Sequence, residues 1–118
     1  MGRIINITQQ AIDNTYYRHV LATATHLQIV VMSIPPGGDV GEETHPDNDQ
    51  ALYLVEGGGT AVLDGAEQPF VPGDVVLVPA GTKHNFIAAP NLPLKIITTY
   101  GPSHHPDGLI HETKAQAG

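Results

Sequence analysis

Gly73-Asp74-Val75-Val76-Leu77-Val78-Pro79-Ala80-Gly81-Thr82-Lys83-His84-Asn85-Phe86-Ile87-Ala88 sets two short apolar runs around one sharp turn. Val75 to Val78 and Asn85 to Ala88 have the size and composition of strands. The turn at Pro79 to Gly81 delivers His84 to the start of the second of them. The same punctuation continues on both sides, with thirteen Gly and ten Pro in 118 residues, so long helices are disfavoured. Strand signals fall at Arg3 to Thr8, Tyr16 to Leu21, Leu27 to Ile34, Ala51 to Glu56, Thr60 to Leu63, Gln68 to Val71 and Leu94 to Tyr100. A helical turn fits only near Gln9 to Asp13, and Gly57-Gly58-Gly59 reads as a tight hairpin turn. Regular short strands with no room for crossover helices indicate an all-β antiparallel sandwich or barrel. The expected organisation is one domain over 1–118, with 114–118 a frayed tail.

Composition removes several function classes. Twelve acidic against five basic side chains give a net charge of -7, which argues against a nucleic-acid partner. Without cysteine there is no disulfide, thiol nucleophile or thiolate metal site, so any metal must be held by nitrogen and oxygen. Ser33 and Ser103 are the only serines, and neither sits in a nucleophile elbow. No apolar run is long enough for a membrane span, and the opening Met1 to Asn6 lacks a signal-peptide pattern, so a cytoplasmic chain is expected.

The chemistry gathers in two stretches. Gly37 to Gln50 holds Asp39, Glu42, Glu43, Asp47 and Asp49 with no Lys or Arg. Its plain reading is a solvated acidic loop. However, it runs directly into a strand, and loops on a rigid scaffold are where chemistry is usually placed. Glu43 and His45 are two apart, so an extended segment sends both side chains from one face. Beyond them Gln50, Leu52 and Leu54 share a face. Glu42 is the rival of Glu43, because a one-residue change in the loop would exchange the carboxylates. The second stretch, Pro102 to His111, carries His104, His105 and His111, which either shut a barrel mouth, carry protons, or only decorate a surface turn. His26 and Gln28 share a strand face that would line a barrel.

These residues resemble the cupin family, whose second motif is G(X)5PXG(X)2H(X)3N. Gly73, Pro79, Gly81 and His84 match its spacing, while Ala88 replaces the final Asn and Asn85 follows the His directly. The first motif, G(X)5HXH(X)3,4E(X)6G, is matched by Gly37, His45 and Gly57, with Glu43 in place of the first His and Gln50 in place of the Glu. The resemblance spans about residues 15 to 113 and implies a double-stranded β-helix, or jelly-roll barrel, usually paired as a homodimer. It also implies a metal on Glu43, His45, Gln50 and His84. Two imidazoles, one carboxylate and one amide suit one divalent Fe, Mn, Ni or Zn. Without Gln50 the remainder is a two-His, one-carboxylate facial triad. His45 and His84 could otherwise be buried structural histidines, and Gln50 could orient a ligand or a water.

Gly41-Glu42-Glu43-Thr44-His45-Pro46-Asp47 and His105-Pro106-Asp107-Gly108 are similar to a subgroup of small cupins often labelled mannose-6-phosphate isomerase-like. The label rests on fold similarity. A phosphate pocket needs Arg or Lys, and only Arg18, Lys83 and Lys95 lie near the core strands, which counts against a phosphorylated substrate. The leading expectation is a metal-dependent enzyme, an isomerase or a dioxygenase, acting on a small oxygenated metabolite such as a sugar or sugar acid. The alternative is a non-catalytic metabolite-binding or sensor barrel with a structural or absent metal. No base is singled out among the candidates Glu42, His105 and His111.

Overall fold

Alternation converts directly into an inside and an outside. A computed structural model describes residues 2–117. It contains a short helix α1 (Ile7–Asp13) and nine strands: β1 (Arg18–Thr23), β2 (Gln28–Ile34), β3 (Asp49–Gly57), β4 (Gly59–Leu63), β5 (Ala66–Phe70), β6 (Val75–Val78), β7 (His84–Ala88), β8 (Leu94–Gly101) and β9 (Ile110–His111). All pairings are antiparallel, in one sheet ordered β6-β3-β8-β2-β1-β9 and a second ordered β5-β4-β7. The two sheets enclose one apolar core of Val20, Val30, Met32, Ile34, Leu52, Leu54, Phe70, Phe86, Leu94 and Ile96 with their neighbours. This is the all-β jelly-roll architecture. No helix among the described residues is long and apolar enough to cross a membrane.

The inward-facing rows of β2, β3, β7 and β8 run between a polar and an apolar end along the barrel axis. On β3 the buried positions are Gln50, Leu52 and Leu54; on β7 they are His84, Phe86 and Ala88. On β2 the inward row is Gln28, Val30, Met32 and Ile34, with Val31 also buried from the other face, and β8 reverses the order with Leu94, Ile96, Thr98 and Tyr100. Register aligns the polar ends, because Tyr100 pairs with Gln28 on one side and with Gln50 on the other. The result is a barrel with a polar mouth and an apolar base.

Several local expectations change. The run Arg3 to Thr8 forms no strand: Ile4 is fully exposed and pairs with nothing, and the chain winds into α1 at Ile7, where Ala11 becomes the buried residue. β-Branched composition favours a strand only when another strand is there to receive it. Gly57-Gly58-Gly59 is no hairpin, since β3 and β4 lie in different sheets. The glycines instead let backbones cross at close range, where a Cβ on Gly57 would stand 1.7 Å from Pro93 O and one on Gly59 1.9 Å from Ile87 O. The true hairpin turn is Asp64-Gly65, which joins β4 to β5 with φ of 48° and 82°, the paired positive values that a two-residue type I′ turn requires. Within the stretch expected to fray, Lys114–Ala117 forms a 3-10 turn, and Lys114 Nζ lies 2.5 Å from Asp39 Oδ1. Gly118, the end of that stretch, lies outside the described residues.

Candidate metal centre

The acidic loop is zipped onto the turn that precedes β7. Glu43 N donates to His84 O and His84 N donates to Glu43 O, both at 2.9 Å, and Gly81 N donates to His45 O at 2.9 Å. Asn85 completes the seam, its Oδ1 accepting from Gly41 N at 2.9 Å. Main-chain bonds therefore place the two cluster segments side by side, despite about forty intervening residues. The loop's charges also find donors: Asp39 meets Lys114, Glu42 lies 3.9 Å from Lys83, and Asp49 Oδ1 accepts from Ala80 N at 2.9 Å.

Glu43, His45 and His84 bring one donor atom each to within 4.8 Å of one another. His84 is almost fully buried, and its Nδ1 lies 2.9 Å from Thr82 O, a carbonyl that can only accept. The ring proton is thereby fixed on Nδ1 and the Nε2 lone pair is left free, the arrangement that metal-binding imidazoles adopt. His45 Nε2 stands 3.1 Å from Glu43 Oε2, yet it is buried without an aligned hydrogen bond. Gln50 gives Nε2 to Thr98 Oγ1 at 3.0 Å, and its Oε1 remains buried with no partner. Unpaired buried polar atoms cost about 1–3 kcal/mol each and are uncommon in a folded interior. Two of them beside a carboxylate and a free imidazole nitrogen form a donor set that a divalent cation would satisfy. Burial alone would raise the Glu43 carboxyl, but His45, with Arg18 and His84 behind it, holds it below the ordinary value. The donor set of Glu43, His45 and His84 thus suits a metal.

The other sequence candidates separate. Glu42 is exposed and faces Lys83 outside the barrel. His111 lies on β9 at the sheet edge, its Nδ1 3.1 Å from Arg18 Nη1. His104 and His105 close the mouth: the His104 ring centroid is 4.3 Å from that of His45, and the ring stacks on Tyr100 at 5.2 Å. His105 Nε2 is 3.4 Å from Tyr100 Oη. Burial, reinforced by Arg18 and His104, pulls the His105 ring down to about 3, so the imidazole is neutral at pH 7. Burial also raises the Tyr100 phenol, which stays protonated.

Gln28 anchors this closure and is more than a lining residue. Its Oε1 accepts from His104 N and His105 N at 3.1 and 3.0 Å, and its Nε2 donates to His105 O at 2.7 Å. Asn48 adds bonds to Pro102 O at 2.6 Å and to the His104 ring at 3.1 Å. Neither role is signalled locally, since both partners lie more than fifty residues away. The one available hint is Gln28 itself, a polar residue on the inward face of an otherwise apolar strand.

Comparison with known proteins agrees with this geometry. Residues 30–100 match the family described as Cupin domain. The chain is 37% identical over 97% of its length to the uncharacterized protein YrkC of Bacillus subtilis (strain 168), of which it spans 64%. It is 35% identical over 98% of its length to the uncharacterized protein L612 of Acanthamoeba polyphaga mimivirus, of which it spans 74%. The crystal structure of BH2720 from Bacillus halodurans superposes with a TM-score of 0.96 at 37% identity, covering 99% of this chain and 93% of that one.

Proposed function

The chain belongs to the Cupin domain family, and on that premise we propose that its barrel holds one divalent transition metal, Fe, Mn, Ni or Zn, and acts on a small oxygenated metabolite. The observation that carries this reading is the convergence of Glu43, His45 and His84 donors within 4.8 Å, beside the unpartnered His45 Nε2 and Gln50 Oε1. A bound ion there would supply Lewis acidity toward a carbonyl or hydroxyl oxygen, or a seat for O2, which are the chemistries of an isomerase and a dioxygenase. The protein's own residues do the rest. Thr98 takes up the Gln50 amide nitrogen and leaves its buried oxygen unpaired, and Thr82 fixes the His84 tautomer. His104, stacked on Tyr100, packs over the His45 side of the site with its ring centroid 4.3 Å from that of His45. A homodimer belongs to the same proposal. Its support is edge strand β6, whose outward Val75 and Leu77 are 64% and 67% exposed next to Tyr53 on β3.

Elemental analysis of freshly purified wild type beside the His45→Ala, His84→Ala double variant tests the metal, with circular dichroism as the check of folding. Wild type should carry about one ion per chain and the folded double variant almost none. Equal metal in both would end the proposal. Light scattering of the same wild-type sample should report about twice the 12.5 kDa chain mass if the homodimer forms. The packing of His104 over His45 also favours a second reading, a non-catalytic barrel with a closed ion. Relaxation of water protons in the Mn-loaded protein separates the two: an exchangeable water on the ion supports catalysis, and its absence supports the closed site.

A further inference from the structure

Of the three cations near the core strands, two are engaged elsewhere. Lys83 faces Glu42 on the surface, and Lys95 Nζ donates to Asn14 O at 2.6 Å. The third, Arg18, is only 5% exposed. It starts β1 on an inward position opposite Met32. Its guanidinium carbon lies 5.1 Å from the Tyr17 ring centroid, and Nη1 contacts His111 Nδ1 at 3.1 Å. A guanidinium can only donate, so His111 Nδ1 is the acceptor in this contact. Nε is buried with no partner, and among the described residues no carboxylate lies within ion-pair distance of the group.

A buried guanidinium set against an imidazole and an aromatic face, with no carboxylate paired to it, carries an uncompensated charge, which is costly to keep. A tether for β9 does not explain it, because β9 already pairs with β1 through the main chain at Arg18↔His111 and His19↔Ile110. The charge reaches the site. It depresses the His105 ring after burial, and His105 lines the mouth with its Nε2 3.4 Å from Tyr100 Oη. Once Glu43 is committed to a divalent ion, that ion and Arg18 stand against a single carboxylate, so the interior is left two charges positive. An anionic ligand lowers this excess charge, and the planar fork of Arg fits a carboxylate in particular.

We propose that Arg18 is the carboxylate-recognition residue of the barrel, so that the ligand of this site is a small carboxylic acid with a second oxygen function directed to the Glu43, His45 and His84 cluster. This inference rests on the metal-site reading for the second contact only. The unpartnered Nε and the missing counter-ion stand without it.

Lactate and its neutral isostere lactamide serve as probes, titrated by calorimetry into wild type, Arg18→Met and Arg18→Lys, each chelator-stripped and metal-loaded. Wild type should prefer lactate over lactamide by at least about tenfold in both forms. Arg18→Met should lose that preference while keeping its metal content, and Arg18→Lys should keep part of it, since charge remains but the fork is gone. Equal lactate binding by wild type and Arg18→Met would overturn the inference, as would a wild type that fails to bind lactate or does not discriminate. If Arg18→Met does not fold, Arg18→Lys decides alone: it must weaken lactate and leave lactamide unchanged. The two readings fail separately. Loss of the metal site alone appears as a metal-free wild type whose lactate preference still depends on Arg18. Loss of the Arg18 role alone appears as normal metal content with no Arg18-dependent preference.

Discussion

The base and the mouth of the barrel are built from the same strands, but they handle their polar atoms in opposite ways. At the base Phe70 and Phe86 meet with ring centroids 5.3 Å apart among Ile34, Leu54, Leu94 and Ile96, and the layer contains no polar side chain to satisfy. At the mouth the buried residues are Gln28, His45, Gln50, His84, Thr98 and Tyr100, and two of their polar atoms have no partner. One end holds the fold, and the other gives up some stability to keep donor atoms available. Since β2, β3, β7 and β8 each contribute to both ends, the apolar half of these rows serves as the rigid mount for their polar half.

If that division is right, the largest single loss of stability belongs to the base. Phe70→Ala should cost about 3–5 kcal/mol in denaturant unfolding, while the folded fraction binds metal with unchanged stoichiometry. A cost below about 1 kcal/mol would place the stabilising core elsewhere. The mouth should answer in the opposite sense. Replacing the hydrogen-bonded pair together, Gln50→Leu with Thr98→Val, removes both partners and an orphaned oxygen, so the metal-free protein should be as stable as wild type or more so. The same variant should bind metal about tenfold more weakly or worse, as metal-dependent shifts in the unfolding midpoint would report. A destabilised apo-protein with unaltered metal affinity would break the comparison.

A further prediction concerns pH. Burial lowers the folded-state His105 ring from 6.5 to about 3. Between those values the unfolded chain binds a proton that the folded chain refuses, so stability is fully present above about pH 6.5 and falls as the pH drops toward 3. His105→Asn should flatten this slope in unfolding curves collected between pH 4 and 7, and Phe70→Ala should leave it unchanged. An equal slope in wild type and His105→Asn would remove His105 as the cause.

Much of this division was legible in the sequence. Strict alternation from Gln50 to Leu54 put the amide on the inner face, and the two-residue spacing of Glu43 and His45 gave them a common side. Pro79 and Gly81 fixed a turn that brings His84 to a strand start. What remained hidden depends on partners far along the chain. The spacing to His45 favours Glu43 over Glu42, but the loop's facing is fixed only by the bridge to His84. Pro102 to His111 reads as a surface turn until Gln28 is seen to hold its backbone. The triple glycine looked like a hairpin because composition registers permissive backbone and says nothing about which sheet receives the next strand. Arg18 stood in plain view as one of few cations, but its burial depends on which face of β1 turns inward.

The reciprocal backbone bridge between Glu43 and His84 has one more consequence. The path of the loop is secured by peptide groups, which every residue type except proline supplies in full. A new side chain at position 43 would therefore inherit the same aim without the loop having to be reinvented. Preference for one ion over another can then drift by single substitutions on a fixed chassis, with the chemical hardness of the incoming donor as the variable that selection tunes.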